Sequence, residues 1–319
     1  MSTVSLASSP NIPLLYARAA APLIPGASLL PFVPGGGGEI PELELELAGV
    51  KADAADVAAY ARVCGFALRD KLPPTYPHLL AFPLQMAVMA DGSFPFGAIG
   101  LIHLENRIAQ LRPLGISEEL ILRVRPTKLL PHPKGRTFTL VTEVRTGNKL
   151  AWESVSTMLR RGGDGSGAVV PGKRGQLRPS AENFATVPTD TPASAEWRLD
   201  GGLGRRYAAV SGDRNPIHMH ALAAKPLGFS AAIAHGMWTK ARCLAALESR
   251  LPDAFAVDVR FRKPILLPSR VEFASAEIDD SASDGDIAFT VRDAKRGVPH
   301  LDGLIRPSET KQAKTGRKK

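Results

Sequence analysis

One short phrase occurs twice in this chain of 319 residues. Tyr60-Ala-Arg-Val-Cys-Gly65 returns, 147 residues later, as Tyr207-Ala-Ala-Val-Ser-Gly212. Helix-then-strand patterns accompany both copies, so the echo points to duplication of one unit. In the first half, Ala52–Val63 reads as a helix. Val57, Tyr60, Ala61 and Cys64 fall at i, i+3, i+4 and i+7, and Asp53 stands at the capping position. Ile102–Leu111, Leu120–Val124, Phe138–Val144 and Leu150–Leu159 alternate as strands do. In the second half, Gly236–Arg250 reads as a helix, followed by strands at Phe255–Phe261, Arg270–Ile278 and Ile287–Val291. Apolar phase slips by one within the middle strand, which predicts a bulge near Ala274 and Ser275. Helix followed by antiparallel strands, twice over, argues for α+β architecture.

Punctuation divides the chain. Residues 163–187 are rich in glycine, proline and basic residues and read as a linker. The expected partition is an irregular N-terminal arm (1–40), a first unit (41–162), the linker (163–187), a second unit (188–307) and a basic tail (308–319). Ala19–Gly38 is uncharged, but Pro22, Pro25, Pro31 and Pro34 interrupt it, which argues against a membrane span. Residues 1–17 have no charged side chain, so the start of a signal peptide is missing too. The net charge of +9 narrows little. The tail carries Lys311, Lys314, Arg317, Lys318 and Lys319 against Glu309, close to half of it. No motif supports nucleic-acid binding, and aromatic residues make up only 6%. Cys64 and Cys243 have no CxxC neighbours and read as core residues, in keeping with a reducing cytoplasm.

Chemistry concentrates between Tyr207 and Trp238. Asp213 and His218 lie five residues apart across a turn built by Gly212, Asn215 and Pro216. Such a turn aims a carboxylate and an imidazole at one point, where two proton acceptors can hold a water. His235 precedes Gly236, which opens a helix. A glycine N–H at the positive end of a helix lets a carbonyl oxygen approach closely. Acid, base and oxyanion donor together suit proton chemistry beside a carbonyl, with a thioester the natural candidate. His218-x-His220 lacks a third Cys or His nearby and does not make a metal site. The glycine runs form no phosphate loop, and no G-x-S-x-G is present.

The run Tyr207–His218, followed by Ala234-His235-Gly236-Met237, resembles the MaoC-type, or (R)-specific enoyl-thioester hydratase, family. That resemblance implies a double hot-dog fold, two tandem antiparallel sheets each wrapped around a central helix. Asp213 and His218 would be the catalytic pair, and the Gly236 N–H would bind the thioester oxygen. Ser211, Gly212, Asn215, Pro216 and His235 would support them. The implied reaction is reversible hydration of a trans-2-enoyl thioester to a (3R)-3-hydroxyacyl thioester, without metal or redox cofactor. Cys64-Gly65 is followed by Phe66 and no Asp-x-Asn-Pro-x-His, so the first unit is expected to be degenerate. CoA or acyl carrier protein would carry the substrate, with Arg260, Arg262 and Lys263 as candidate phosphate contacts, and the double chains could pair as a homodimer. A hot-dog thioesterase and a non-catalytic acyl-thioester binder remain the alternatives.

Overall fold

The computed structural model describes residues 2–21, 38–162, 184–278 and 285–308. Most of the linker, the prolines between 22 and 34, and the tail from 309 onward lie outside the described residues.

Among the described residues, twelve strands form one sheet. The first half contributes β1 (Ser2–Leu6), β2 (Leu43–Val50), β3 (Ile102–Gln110), β4 (Leu120–Pro126), β5 (Leu130–His132), β6 (Gly135–Thr146) and β7 (Lys149–Arg161). The second contributes β8 (Ala195–Leu199), β9 (Phe255–Phe261), β10 (Ser269–Glu277), β11 (Ile287–Asp293) and β12 (Pro299–Pro307). The halves meet where β3 pairs antiparallel with β9, from Glu105 opposite Arg260 to Gln110 opposite Phe255. Outward from this seam the order is β3-β7-β6-β4-β2 on one side and β9-β12-β11-β10-β8 on the other. With β1, which adds to the edge beyond β2, and β5, which pairs with β6 off this path, set aside, both sides read second, fifth, fourth, third, first strand of the half in chain order. The duplication suggested by one short phrase therefore extends to the whole topology.

The helices repeat as well. The echoed phrase ends α2 (Ala54–Cys64) and α5 (Leu203–Ser211), and both helices stop at a left-handed glycine, Gly65 at φ 86° and Gly212 at φ 75°. Only glycine adopts that conformation without strain. Asp53 caps α2 as expected, accepting from the N–H groups of Ala55 and Asp56. Tyr60 and Tyr207, the first residues of the two echoes, meet in the core with ring centroids 6.2 Å apart. The helix that the sheet of the first half covers is α4 (Phe82–Met89), following the short α3 (Tyr76–Leu80). Its counterpart, after the short α6 (Pro216–Met219) and α7 (Ala221–Ala224), is α8 (Gly236–Ala246), which buries Met237, Trp238, Ala241 and Leu244. Burying a side chain the size of Met237 or Leu244 contributes about 1.5–3 kcal/mol. Lys240 of α8 is also wholly buried; its ammonium donates to Asn106 Oδ1 (2.6 Å), Asn106 O (3.1 Å) and Val257 O (3.2 Å). It ties the central helix to the β3–β9 seam.

Three expectations need correction. The N-terminal arm is not irregular where it is described: β1 pairs parallel with β2, from Ser2 opposite Leu43 to Leu6 opposite Leu47, and α1 (Ile12–Ala20) buries Leu15 and Ala19. Nor is there a bulge at Ala274 and Ser275, because β10 pairs with β11 in unbroken register from Val271 to Glu277. The apolar phase changes because both faces of the strand are covered. Val271 and Phe273 face the main core, whereas Ala274, Ala276 and Ile278 pack with Ala288 and Leu304 under Phe184, Ala185 and Val187. The last residues assigned to the linker thus belong to that second apolar layer. Strand β12 went unread because Asp302-Gly303, a turn-favouring pair, interrupts its alternation.

Candidate active site

The turn after α5 sets the acid. Gly212 reverses the chain, and the Asp213 N–H donates to Ser211 Oγ at 3.2 Å. Asp213 Oδ1 in turn accepts the Asn215 N–H at 3.1 Å. Asn215 then caps α6 (Pro216–Met219), and Pro216 occupies its first position, where a missing N–H costs nothing. This short helix carries His218, whose Nδ1–H donates to Ile233 O at 2.8 Å. That bond fixes the tautomer and leaves Nε2 as a free proton acceptor.

His235 braces both partners. Its Nε2–H donates to Asp213 O at 3.0 Å, and its ring lies on that of His218, with centroids 3.6 Å apart and planes 25° from parallel. Tyr207 flanks it from behind at 4.8 Å. As the residue before α8, His235 makes no side-chain capping bond. The first N–H groups of α8 thus take no partner from this side chain, and Gly236 and Met237, which carry the first of them, line the cavity. A Cβ on Gly236 would stand 2.9 Å from the Phe261 ring, so glycine keeps a narrow gap open there.

Electrostatics match these roles. Burial would push the Asp213 carboxyl up, but the imidazoles of His235 and His218, the Asn215 N–H and the Tyr16 hydroxyl outweigh it, and the group sits below its ordinary range. Burial lowers His218 against the opposing pull of Asp213 and Ile233 O, keeping its imidazole neutral at physiological pH. His235 is pushed down to about 3, by burial first and His218 second.

Asp213, His218 and His235 each bring one ligand atom within 4.8 Å of the others, which is metal-like spacing. His235 is the third imidazole absent from the local sequence around His218-x-His220. Ring geometry argues against a shared ion: a metal lies about 2 Å from nitrogen in the ring plane, and two nearly stacked rings do not converge on such a point.

These groups open onto a cavity of about 670 Å³, within the range typical of ligand sites. It runs between the halves. Phe82, Met89, Leu101 and Leu140 from the first half give it an apolar wall. Lys134, Arg160, Arg161, Arg262, Lys263 and His300 add a basic and polar edge. Arg262 also pairs with Asp302 at 2.7 Å. Arg260 does not line the cavity. It pairs with Glu105 at 3.3 Å and lies 4.4 Å over the Phe184 ring, so its role as a phosphate contact is withdrawn.

Over 280 residues the chain is 40% identical to 3-hydroxyacyl-thioester dehydratase X of Mycobacterium tuberculosis, spanning 88% of this chain and 94% of that protein. The chain belongs to the MaoC-like dehydratase family. Residues 184–297 match the MaoC like domain itself. A crystal structure of HtdX from M. tuberculosis aligns with a TM-score of 0.70 at 38% identity, covering 83% of this chain and 100% of that one. A MaoC-like dehydratase from Phytophthora capsici shares the fold at 21% identity, with a TM-score of 0.66 over 86% of this chain and 98% of the other. The chain is thus a double hot-dog hydro-lyase. Among the described residues, no helix is long and apolar enough to cross a membrane.

Of the residues expected at this site, Ser211, Asp213, Asn215, His218, His235 and Gly236 line the cavity, whereas Gly212 and Pro216 shape the turn behind it. Sequence reading missed two contributions. Tyr16 donates its hydroxyl to Asp213 Oδ1 at 3.0 Å from a segment read as irregular. The first half adds buried polar groups to the cavity: His78, held by Gln85 at 3.3 Å, and His103, whose Nε2 has no hydrogen-bond partner. Alternation on β3 carried no signal for His103, because strand register slips between His103 and Glu105.

Buried neutral histidines make the fold acid-sensitive. Burial is the leading cause in all three cases and lowers His78 to about 4 and His103 and His235 to about 3. In the unfolded chain each titrates near 6.5. Their contribution to stability is therefore constant above about pH 6.5 and falls as the pH drops toward the folded values, by about 1.4 kcal/mol per pH unit for each histidine. Urea unfolding at pH 7 and pH 5 should show this loss; equal stabilities would contradict the assignment.

Proposed function

We propose that this protein catalyses reversible addition of water to trans-2-enoyl thioesters, giving (3R)-3-hydroxyacyl thioesters. The carrying observation is the pairing of a bare His218 Nε2 with an ionised Asp213 beside the Gly236 N–H at one cavity wall. The relatives named for 3-hydroxyacyl-thioester and 3-hydroxybutyryl-CoA dehydration support the same chemistry; the second is 39% identical over 70 residues, 21% of this chain and 45% of that protein.

In the hydration direction, the Gly236 N–H polarises the thioester carbonyl and makes the β-carbon electrophilic. Water sits between Asp213 and His218. As its oxygen bonds to the β-carbon, His218 Nε2 takes one proton and the π electrons move toward the α-carbon. The imidazolium, balanced by Asp213, returns that proton to the α-carbon. One water is added and both residues end as they began. Ser211, Asn215 and Pro216 hold the turn, and His235 braces it.

The first unit (41–162) acts as the degenerate partner. Phe66, buried against Tyr60, follows its left-handed glycine where Asp213 follows Gly212, and α4 opens on Phe82 where α8 opens on Gly236. Its contribution is the apolar wall for the acyl chain. Arg262 and Lys263, both in the cavity lining, are the candidate contacts for carrier phosphates of CoA or acyl carrier protein. A reducing compartment such as the cytoplasm suits two buried free thiols, Cys64 and Cys243.

A short trans-2-enoyl-CoA tests the proposal against its rivals. Loss of the conjugated double bond without release of free thiol is expected. Thiol release would instead indicate a thioesterase, and tight binding without turnover would indicate an acyl-thioester binder.

A further inference from the structure

We propose that Tyr16, on the N-terminal helix, is a positioning residue that orients and holds ionised the carboxylate of Asp213. The proposal rests on the reading of Asp213 as a catalytic group.

Three observations carry it. First, the phenol bridges two consecutive residues of the catalytic turn: its O–H donates to Asp213 Oδ1 at 3.0 Å, and its oxygen accepts the Arg214 N–H at 2.7 Å. Tyr16 and the Asn215 N–H thus occupy the same carboxylate oxygen. Oδ2 faces His235, 3.8 Å from its Nε2, on the imidazole side of the site. A carboxylate held through one oxygen by two donors cannot rotate freely, and the acceptor it offers to water is set.

Second, the helix bearing Tyr16 is built onto this turn. Asn11 caps α1 by accepting the Leu14 N–H, and β1 anchors the segment to β2. Leu15 and Ala19 are buried in the main core. Ile12 lies one turn before Tyr16, and its Cδ1 comes 2.7 Å from where a Cβ on Gly212 would stand. Gly212 therefore admits α1 as well as reversing the chain.

Third, the donor is permanent. Burial first, then the charge of Asp213, push the Tyr16 hydroxyl well above its ordinary value. It remains protonated at any working pH. A hydrogen bond to the ionised form favours that form. Losing it raises the pKa of Asp213. It also leaves more negative charge facing His218, which raises the imidazole too. Both changes move the acid limb of the pH–rate profile, which belongs to the coupled pair, to higher pH.

The test uses the full chain carrying Tyr16→Phe, Asp213→Asn or both, with a trans-2-enoyl-CoA as substrate. Tyr16→Phe should lower kcat about tenfold near pH 6, leave KM little changed, and shift the acid limb upward, with part of the loss recovered at pH 8. Adding Tyr16→Phe to Asp213→Asn should cost little more, because the phenol acts through the carboxylate. A Tyr16→Phe enzyme with unaltered kcat and acid limb would overturn the proposal. So would an equal loss at every pH with a lowered melting temperature, or full additivity in the double variant. Should Asp213→Asn alone retain full activity, the reading of Asp213 fails first, whatever Tyr16→Phe does.

Discussion

Replacing Asp213 by Asn, or His218 by Gln, should lower kcat by about 10²- to 10⁴-fold, the usual worth of a positioned acid or base. Both substitutions nearly preserve shape, so the loss is chemical. The amide that replaces the Asp213 carboxylate could still accept from Tyr16 and from the Asn215 N–H, but would carry no charge to balance an imidazolium. The amide that replaces the His218 imidazole could still reach Ile233 O, but would offer no basic nitrogen. In the native enzyme, activity needs His218 neutral and Asp213 ionised, and both are held below their ordinary values. The rate should therefore stay level down through pH 6.5 and fall only at lower pH. The residual activity of Asp213→Asn should show its acid limb at still lower pH, because removing the carboxylate removes the group that raises His218. This is opposite in sign to the shift expected for Tyr16→Phe. Steady-state rates from pH 4.5 to 8.5 check both; a variant of either residue with native kcat would remove it from the mechanism.

Gly236 allows a second large effect to be isolated. It is the first residue of α8, and the backbone of His235 before it is extended, at φ −68° and ψ 135°. Proline is tolerated at such a position and requires such a predecessor. Gly236→Pro thus removes the N–H while leaving the helix able to form. Gly236→Ala adds the Cβ that crowds Phe261 but keeps the N–H. If the N–H polarises the thioester carbonyl, the proline variant should fall about 10²- to 10³-fold further in kcat than the alanine variant. Equal losses in the two would mean that space, not the hydrogen-bond donor, is what Gly236 provides. Circular dichroism separates either outcome from loss of the fold.

Asp213, Asn215, Pro216 and His218 were legible because a few consecutive residues build the turn: a left-handed glycine, an Asx cap and a proline fix its geometry locally. Gly65 and Gly212 were legible for the same reason, each ending a helix within the echoed phrase. Arg260 misled, since alternation along a strand shows that a side chain leaves the core face but not which neighbour it meets; Glu105 decides that from across the seam and Phe184 from the end of the linker. The phase slip on β10 misled similarly. A strand covered on both faces breaks alternation without any bulge, and the residues that cover it, Phe184, Ala185 and Val187, lie far away along the chain.

By itself, then, the sequence determined the duplicated α+β unit, the acid–base turn, and the loss of that turn from the first copy, because each depends on residues within one or two helical turns of each other. Only the tertiary structure decided which strands join the halves, how His235 stacks on His218, which basic residues reach the cavity, and that Tyr16 holds an aspartate 197 residues away. Those contacts are made by packing and by hydrogen bonds between distant segments. Their energies depend on burial that no local pattern of residues records.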